Sequence, residues 1–425
     1  MSTHQDRPGD DPAASEDAHD DAGTDNDAGA GTAPPRQPTP ADLEPGTQAW
    51  RTWVAMSAHA FFTTPQDSGV AAAIGKTLHP TTIEPWCVAD YSKYLHTVGL
   101  RDAGNIVALT QVTRQLEQVG FLLPCGMAPY VPPFMAQQYI TQGGASPGQL
   151  GGNLWLSEIF GADLIIPSYT AVSVLISGTD AAGEPRWGTG LVLDHTRIVT
   201  NKHVVAALTP GNPLSVHPST GEDGGQQVNC QCVAHPHPEL DVAVIECRFP
   251  EGVGLPRLEG MAFRDPAWSD DVYLFGYPHV PMIAGTVITV QRGEVVNPAA
   301  ETPRDGDLLR GKTFLYSAIA RPGNSGGPIV AHDGRVIGLV VEESSGTTRA
   351  QAADHRPPPA TTPEERIARL EGDVEELKAK VRAPSFYRGI PSSEVVRALD
   401  DLGFGGLAEL DDLPPSGTSV YYRRG

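Results

Sequence analysis

The chain reads as mainly β in its second half, an antiparallel barrel or sandwich, with a small α-helical domain before it and an acidic tail before that. Three observations predict this. Apolar residues repeat at helical spacing from about residue 46 to 160. From about 166 the period shifts towards two, in short β-branched runs punctuated by Gly, Pro, Asn and Asp. No alternation of strands with long helices appears, so a parallel sheet is not expected.

Residues 1–45 are rich in Asp, Ala, Gly, Pro and Thr, with almost no large apolar side chains to offset the entropy of ordering. A disordered acidic tail is expected there. The whole chain of 425 residues carries a formal charge of −21. An acidic surface repels phosphate backbones and anionic lipid, so neither nucleic acid nor a membrane is expected as the main partner. The start, Met1-Ser-Thr-His-Gln-Asp, lacks the apolar core of a signal peptide. No later run approaches the roughly 20 apolar residues of a membrane span. Five cysteines, an odd number without framework spacing, suit a reducing compartment. The expected location is the cytoplasm.

In the helical domain, 46–160, Trp50, Trp53, Val54, Ala58 and Phe61 share one face, and Tyr91, Tyr94, Leu95 and Val98 another. These aromatics, with Trp86, read as core. Ala108 to Cys125 reads as a helix stopped at Gly120 and followed by a short strand, the pattern of a winged-helix recognition helix meeting its wing. The pattern is common and the neighbouring charge is not basic, so packing or docking of a regulatory protein partner outweighs DNA reading.

Strands are expected at 170–176, 190–193, 197–200, 242–245, 272–275, 286–290 and 335–341. After Ser345 the pattern is interrupted over 346–383 by a Pro-rich run and a charged helix, capped by Thr362 and Pro363. Ile367, Leu370, Val374, Leu377 and Val381 form an a/d seam. The seam of 362–382 offers self-association, although two heptads favour packing back onto the same chain.

The chemistry is concentrated in Arg321-Pro-Gly-Asn-Ser-Gly-Gly-Pro-Ile-Val330. Glycines at 323, 326 and 327 allow a tight turn that exposes the Ser325 hydroxyl and aims the amides of Gly323 and Ser325 at one point, where they can hold an oxyanion. A serine nucleophile needs a base, and a base needs a carboxylate to orient it. Ile198-Val-Thr-Asn-Lys-His203-Val-Val places a histidine at the end of a buried strand, and Pro238-Glu-Leu-Asp241-Val-Ala-Val-Ile places an aspartate at the start of another. Glu239 falls before the apolar run, so Asp241 is preferred.

With these three segments in the order His, Asp, Ser, the chain resembles the chymotrypsin-like (trypsin-like) serine proteases, and Pro-Gly-Asn before Ser325 is most similar to the bacterial HtrA branch. The resemblance covers about 166–345 and resumes at 386–399. It implies a double antiparallel β-barrel over 166–402, with 346–383 an insertion and 403–425 a C-terminal tail. It implies Ser325 as nucleophile, His203 as base and then acid, Asp241 as orienting carboxylate, and Gly323 and Ser325 amides as the oxyanion hole. The substrate is then a protein or peptide and no cofactor is needed. In the family the sixth residue before the nucleophile floors the primary specificity pocket. Here it is Ile319, between Ala318 and Ala320, which cannot pair a buried cation, so small or medium apolar side chains are expected.

The chain departs from the family pattern in having no PDZ module, no disulfide framework, and Asn324 where trypsin-type zymogens carry an acid before the serine. Activation by a freed N-terminus is not expected. Cys230, Cys232, His235 and His237 lie within eight residues, but so tight a spacing does not wrap one ion tetrahedrally, and no metal is expected. Instead Cys230 and Cys232 are expected to share one face of a strand, with the two histidines in the loop leading to Asp241. The rival readings are a catalytically silent module that uses the fold to bind peptides, and a winged-helix regulator.

Overall fold

The computed structural model describes residues 39–411, apart from 80, 207, 209–213, 219–230, 281, 284, 302–311 and 342–385. Residues 1–38 of the tail expected over 1–45, Cys230, the 346–383 insertion with its helical seam, and the last fourteen residues lie outside the described residues; the end of that tail is ordered, with a single turn at Pro40–Asp42 and Leu43 buried in the core of the first part. From Pro40 onward the chain is one compact unit.

The first part opens with α1 (Gln48–Phe61), whose N-cap Thr47 accepts the Trp50 amide at 3.3 Å. Then come α2 (Ser68–Ala73), β1 (Trp86–Cys87), α3 (Val88–Thr97) and α4 (Ile106–Gln118). Asn105 caps α4 by accepting the Ala108 amide, and Gly120 ends it at φ +80°, a conformation only glycine adopts without strain. The next segments are β2 (Leu122–Met127) and β3 (Gln137–Thr141), with β3 between β1 and β2. The part expected to be helical therefore also holds a three-stranded antiparallel sheet. Trp50, Tyr91, Leu95, Leu109 and Leu116 are buried at its centre, while Trp53 and Tyr94 are partly buried against them.

Two short helices follow, α5 (Ser157–Phe160) and α6 (Ala162–Val172). The expected strand at 170–176 begins three residues later, because Thr170 to Val172 complete α6. Leu164, Ile165, Tyr169 and Val172 are the buried positions of this run, and their spacing is that of a helix, which packs on a closed barrel and on a six-stranded sheet.

That sheet contains β4 (Ser173–Thr179), β5 (Pro185–Val192), β6 (Arg197–Thr200), β7 (Ser215–Pro218), β8 (Gln231–Pro236) and β9 (Ala243–Arg248). Its order is β7-β4-β5-β6-β9-β8, and the short helix α7 (Lys202–Ala206) follows β6. The second barrel is closed: β10 (Asp271–Gly276), β11 (Thr289–Glu301), β12 (Lys312–Tyr316), β15 (Tyr387–Pro391), β14 (Val336–Val341) and β13 (Pro328–Ala331), in that order around the ring. All the pairings are antiparallel. Helix α8 (Ser392–Asp401) packs on β14 and β15. One continuous apolar core joins the six-stranded sheet, the closed barrel and α8. The architecture is mainly β with helices in the N-terminal part, as expected.

A buried ionic cluster fastens the barrel to its surroundings. Arg264 forks onto Asp270 at 2.8 and 2.9 Å and reaches Asp333 at 2.7 Å, while Arg335 bridges Asp333 and Asp411 at 2.9 Å each. Asp333 belongs to the turn between β13 and β14. The first part of the chain grips the same turn: Gln149 Nε2 donates to the Asp333 carbonyl at 3.1 Å and Tyr169 Oη to the Gly334 carbonyl at 2.7 Å. Asp411 also donates its amide to the Phe263 carbonyl, so the tail expected from 403 is fixed to the barrel as far as residue 411.

Candidate active site

Strand β6 delivers the histidine. Its residues Ile198, Val199 and Thr200 are fully buried, and the chain then turns into α7, leaving the His203 side chain 40% exposed. The aspartate sits two residues before strand β9, which lies beside β6 in the sheet. Asp241 Oδ2 lies 2.7 Å from His203 Nδ1 and Oδ1 accepts the His203 amide at 2.9 Å. Asn201 Nδ2 donates to the Asp241 carbonyl at 3.0 Å, and Lys202 Nζ to the Pro238 carbonyl at 2.9 Å. Two of the residues predicted to act together are thus joined at both side chain and main chain. Nδ1–H bound to the carboxylate leaves Nε2 of His203 as the proton acceptor.

The serine loop comes from the other barrel, between β12 and β13. It is closed by Asn324 N to Arg321 O and Gly327 N to Asn324 O, both at 2.9 Å. Gly323 and Gly326 take φ of +103° and +82°. A Cβ on Gly323 would strike the Tyr277 carbonyl, and one on Gly326 would strike the Thr200 hydroxyl and the Thr189 carbonyl. The glycines of the motif therefore meet a packing demand as well as a backbone one.

Thr189 joins this loop to the first sheet. Fully buried on β5, it donates its amide to the Ser325 carbonyl at 2.9 Å and its hydroxyl to the Gly323 carbonyl at 2.7 Å. The same hydroxyl accepts the Tyr277 amide at 3.0 Å, and the Thr189 carbonyl accepts the Thr200 hydroxyl at 2.7 Å. The segment before His203 and the segment bearing Ser325 are thereby pinned to one residue. Beside it, a Cβ on Gly188 would sit 2.7 Å from Val204 and 3.3 Å from the Ser325 carbonyl, so the two loops leave no room between them. Sequence reading missed Thr189; its only signal was its place between Gly188 and Gly190.

His203 and Asp241 are hydrogen-bonded on one sheet, and the Ser325 loop is locked against that sheet from the closed barrel. Residues 188–339, which hold all three, match the family model of the trypsin-like peptidase domain. Among curated proteins, the putative mitochondrial protease Do-like 3 of Arabidopsis thaliana is 32% identical over 160 residues, 36% of this chain and 25% of that protein. The chain thus spans a quarter of that relative's length. Among solved structures, the active form of the Rv3671c protease from M. tuberculosis is 18% identical, covers 68% of this chain and 99% of that one, and superposes with a TM-score of 0.39. The serine endoprotease from Yersinia pestis is 17% identical, covers 56% and 65%, and gives 0.36. At that level these two likenesses do not bear on the site.

In the peptidase domain Ile319 is 47% exposed, between the buried Ala318 and Ala320. On another side of the serine loop, Trp187 Nε1 donates to the Tyr277 carbonyl at 3.1 Å, and the ring stands 6.3 Å from that of His279. A cleft of ≈ 600 Å³ runs from Trp187 along Arg186, Ser177, His217 and Thr286. Of the residues weighed as metal ligands, the three that are described turn to different partners. His235 lies within β8 rather than in the loop after it and faces Glu246 at 3.6 Å, Cys232 faces Cys247, and His237 points to Asp401. Among the described residues no group of three or more ligating side chains could hold a metal ion. No described helix is long and apolar enough to cross a membrane.

Proposed function

We propose that the chain is a serine endopeptidase whose triad is His203, Asp241 and Ser325. The observation that carries this reading is the two-point contact of Asp241 with His203 on a sheet against which Thr189 fastens the Ser325 loop. Ser325 Oγ attacks the peptide carbonyl carbon and its proton passes to His203 Nε2. The Asp241 carboxylate holds Nδ1–H and stabilises the imidazolium. The amides of Gly323 and Ser325 take the negative oxygen of the tetrahedral intermediate, a term of roughly 3–4 kcal/mol per donor in comparable sites. The C–N bond then breaks, His203 returns the proton to the leaving amine, and the acyl-enzyme is hydrolysed by water that His203 deprotonates.

The preferred residue before the scissile bond is small or medium and apolar, because Ile319 supplies no charge to pair a lysine or arginine. The protein acts in the cytoplasm, and residues 46–160 restrain it or recruit its partner. Support for the last point is the hydrogen bond from Gln149 to the turn that follows β13, the strand immediately after the Ser325 loop. The seam over 362–382 remains a candidate surface for self-association.

The test is covalent labelling of the full chain by a fluorophosphonate, read by intact mass, beside Ser325→Ala. One adduct, absent from the variant, supports the reading. No adduct on the wild-type chain overturns it in favour of a peptide-binding module without catalysis.

A further inference from the structure

We infer that His237 is a positioning residue for the catalytic aspartate: its imidazole is the internal brace of the loop that presents Asp241, and it ties that loop to the C-terminal helix. This rests on the reading of Asp241 as part of the triad. His237 is 4% exposed, inside the turn between β8 and β9. Its amide donates to the Val242 carbonyl at 2.9 Å, closing the turn around 238–241. Within that turn two further amides, those of Glu239 and Leu240, both point at His237 Nδ1, at 3.1 and 2.8 Å.

Two main-chain donors on one ring nitrogen require a lone pair there, so the ring proton sits on Nε2. That nitrogen lies 3.2 Å from Asp401 Oδ2 and donates to it. Asp401 is the last residue of α8, where a carboxylate opposes the helix dipole. A buried N–H donor aimed at this carboxylate offsets that cost. The imidazole thus satisfies two loop amides, the buried one of Leu240 and the part-buried one of Glu239, and anchors them to an element 164 residues away in sequence.

Asp241 follows directly. Its carbonyl accepts from Asn201 on one side, while the amide of its neighbour Leu240 is held by His237 on the other. The carboxylate that orients His203 is therefore set by a frame whose inner strut is His237. Neither His237 nor Asp401 is argued to touch the substrate, so the effect of removing the strut falls on the chemical step. Alanine at Asp401 leaves the ring in place but frees its outer end.

The experiment compares the full chain with His237→Leu, His237→Asn and Asp401→Ala, by backbone hydrogen exchange over 237–245 and by steady-state peptide hydrolysis. Asn can keep an acceptor near the Nδ1 position; Leu cannot. His237→Leu is expected to raise exchange of the Glu239 and Leu240 amides at least about tenfold, and to lower kcat about a hundredfold with KM within about twofold. His237→Asn recovers most of both losses, and Asp401→Ala gives a smaller change in the same direction. Unchanged exchange in His237→Leu overturns the brace, and raised exchange with unchanged kcat overturns its link to Asp241. Should His237→Leu not fold, Asp401→Ala decides by the same readouts, and no change in either overturns the proposal. A wild-type chain that neither labels nor hydrolyses defeats the proposed function, while the exchange measurement still judges the brace.

Discussion

Asp241 holds His203 twice: one carboxylate oxygen accepts the main-chain amide at 2.9 Å and the other meets ring Nδ1 at 2.7 Å. The ring is thereby fixed relative to its own backbone. An asparagine can keep the main-chain contact through its carbonyl oxygen, but its NH2 group would face Nδ1 and favour the tautomer with the proton on Nε2. Asp241→Asn is therefore expected to fold normally and to lose roughly 10⁴-fold in kcat, the scale known for this exchange in a triad. Thermal unfolding and peptide hydrolysis, measured together, check both halves.

The serine turn makes a steric prediction. Gly326 has φ +82°, and a Cβ there would meet the Thr200 hydroxyl and the Thr189 carbonyl, both already hydrogen-bonded to each other. Gly326→Ala cannot be absorbed by moving a flexible side chain. The turn itself must shift, so fluorophosphonate labelling of Ser325 is expected to fall at least about a hundredfold, given how steeply rate depends on the position of the reacting atoms. Labelling at the wild-type rate would show that the turn has slack that its contacts deny.

Much of this site was legible in the sequence because its residues abut elements that must be buried. His203 comes three residues after the strand of Ile198, Val199 and Thr200, and Asp241 precedes Val242, Ala243, Val244 and Ile245, all buried. Thr189 and His237 were not legible in these roles, since their meaning lies in partners 134 and 164 residues away. Only the start of β8, around Cys232, read as strand, because the side chains of β8 are mostly exposed and carry no alternation that marks its end. The last turn of α6 was read as strand because Thr170-Ala-Val172 runs without a break into the β-branched Ser173-Val-Leu-Ile176. Period fails as a guide where a strand is wet on both faces and where a helix passes into a strand with no loop between.

Specificity is expected to follow Ile319. An aspartate at that position would supply the charge that the pocket now lacks, so Ile319→Asp is expected to gain cleavage after Arg or Lys by about tenfold or more relative to the wild type, and to lose rate on apolar residues. Profiling both proteins against a peptide library reads the outcome. An unchanged preference would place the floor of the pocket elsewhere.

Asp333 has 0% exposure and accepts from both Arg264 and Arg335. Burial alone would raise its pKa, but the two guanidiniums hold the carboxyl below its ordinary value. A carboxylate whose folded pKa is depressed stabilises the fold at pH above its unfolded value, near 3.9, and that contribution is lost as pH falls through the folded value. Asp333→Ala leaves two buried arginines short of a partner and is expected to cost about 3–5 kcal/mol at neutral pH. The measurement is the denaturant midpoint against pH. The wild-type curve should fall below about pH 4, and the variant curve should be lower throughout and flatter in the acid range.

Cys232 and Cys247 are directly opposed on β8 and β9, with their sulfurs 3.5 Å apart. The pairing type follows from the flanking bonds. His237 N donates to Val242 O, which makes that pair hydrogen-bonded, and five steps back along each strand the pair 232 and 247 is of the alternate kind. Cys247 accordingly donates its amide away from β8, to Thr196 O. Non-hydrogen-bonded pairs bring side chains closest, within the reach of a disulfide. Glutathione disulfide should therefore convert the two thiols to an intramolecular disulfide, releasing two molecules of glutathione and lowering the protein mass by about 2 Da. The loss should persist in Cys230→Ser and vanish in Cys232→Ser. Because β9 begins two residues after Asp241, the crosslink also tests whether stiffening this hairpin alters hydrolysis. A stable glutathione adduct on Cys232 without ring closure would show that the strands hold the sulfurs too far apart to join.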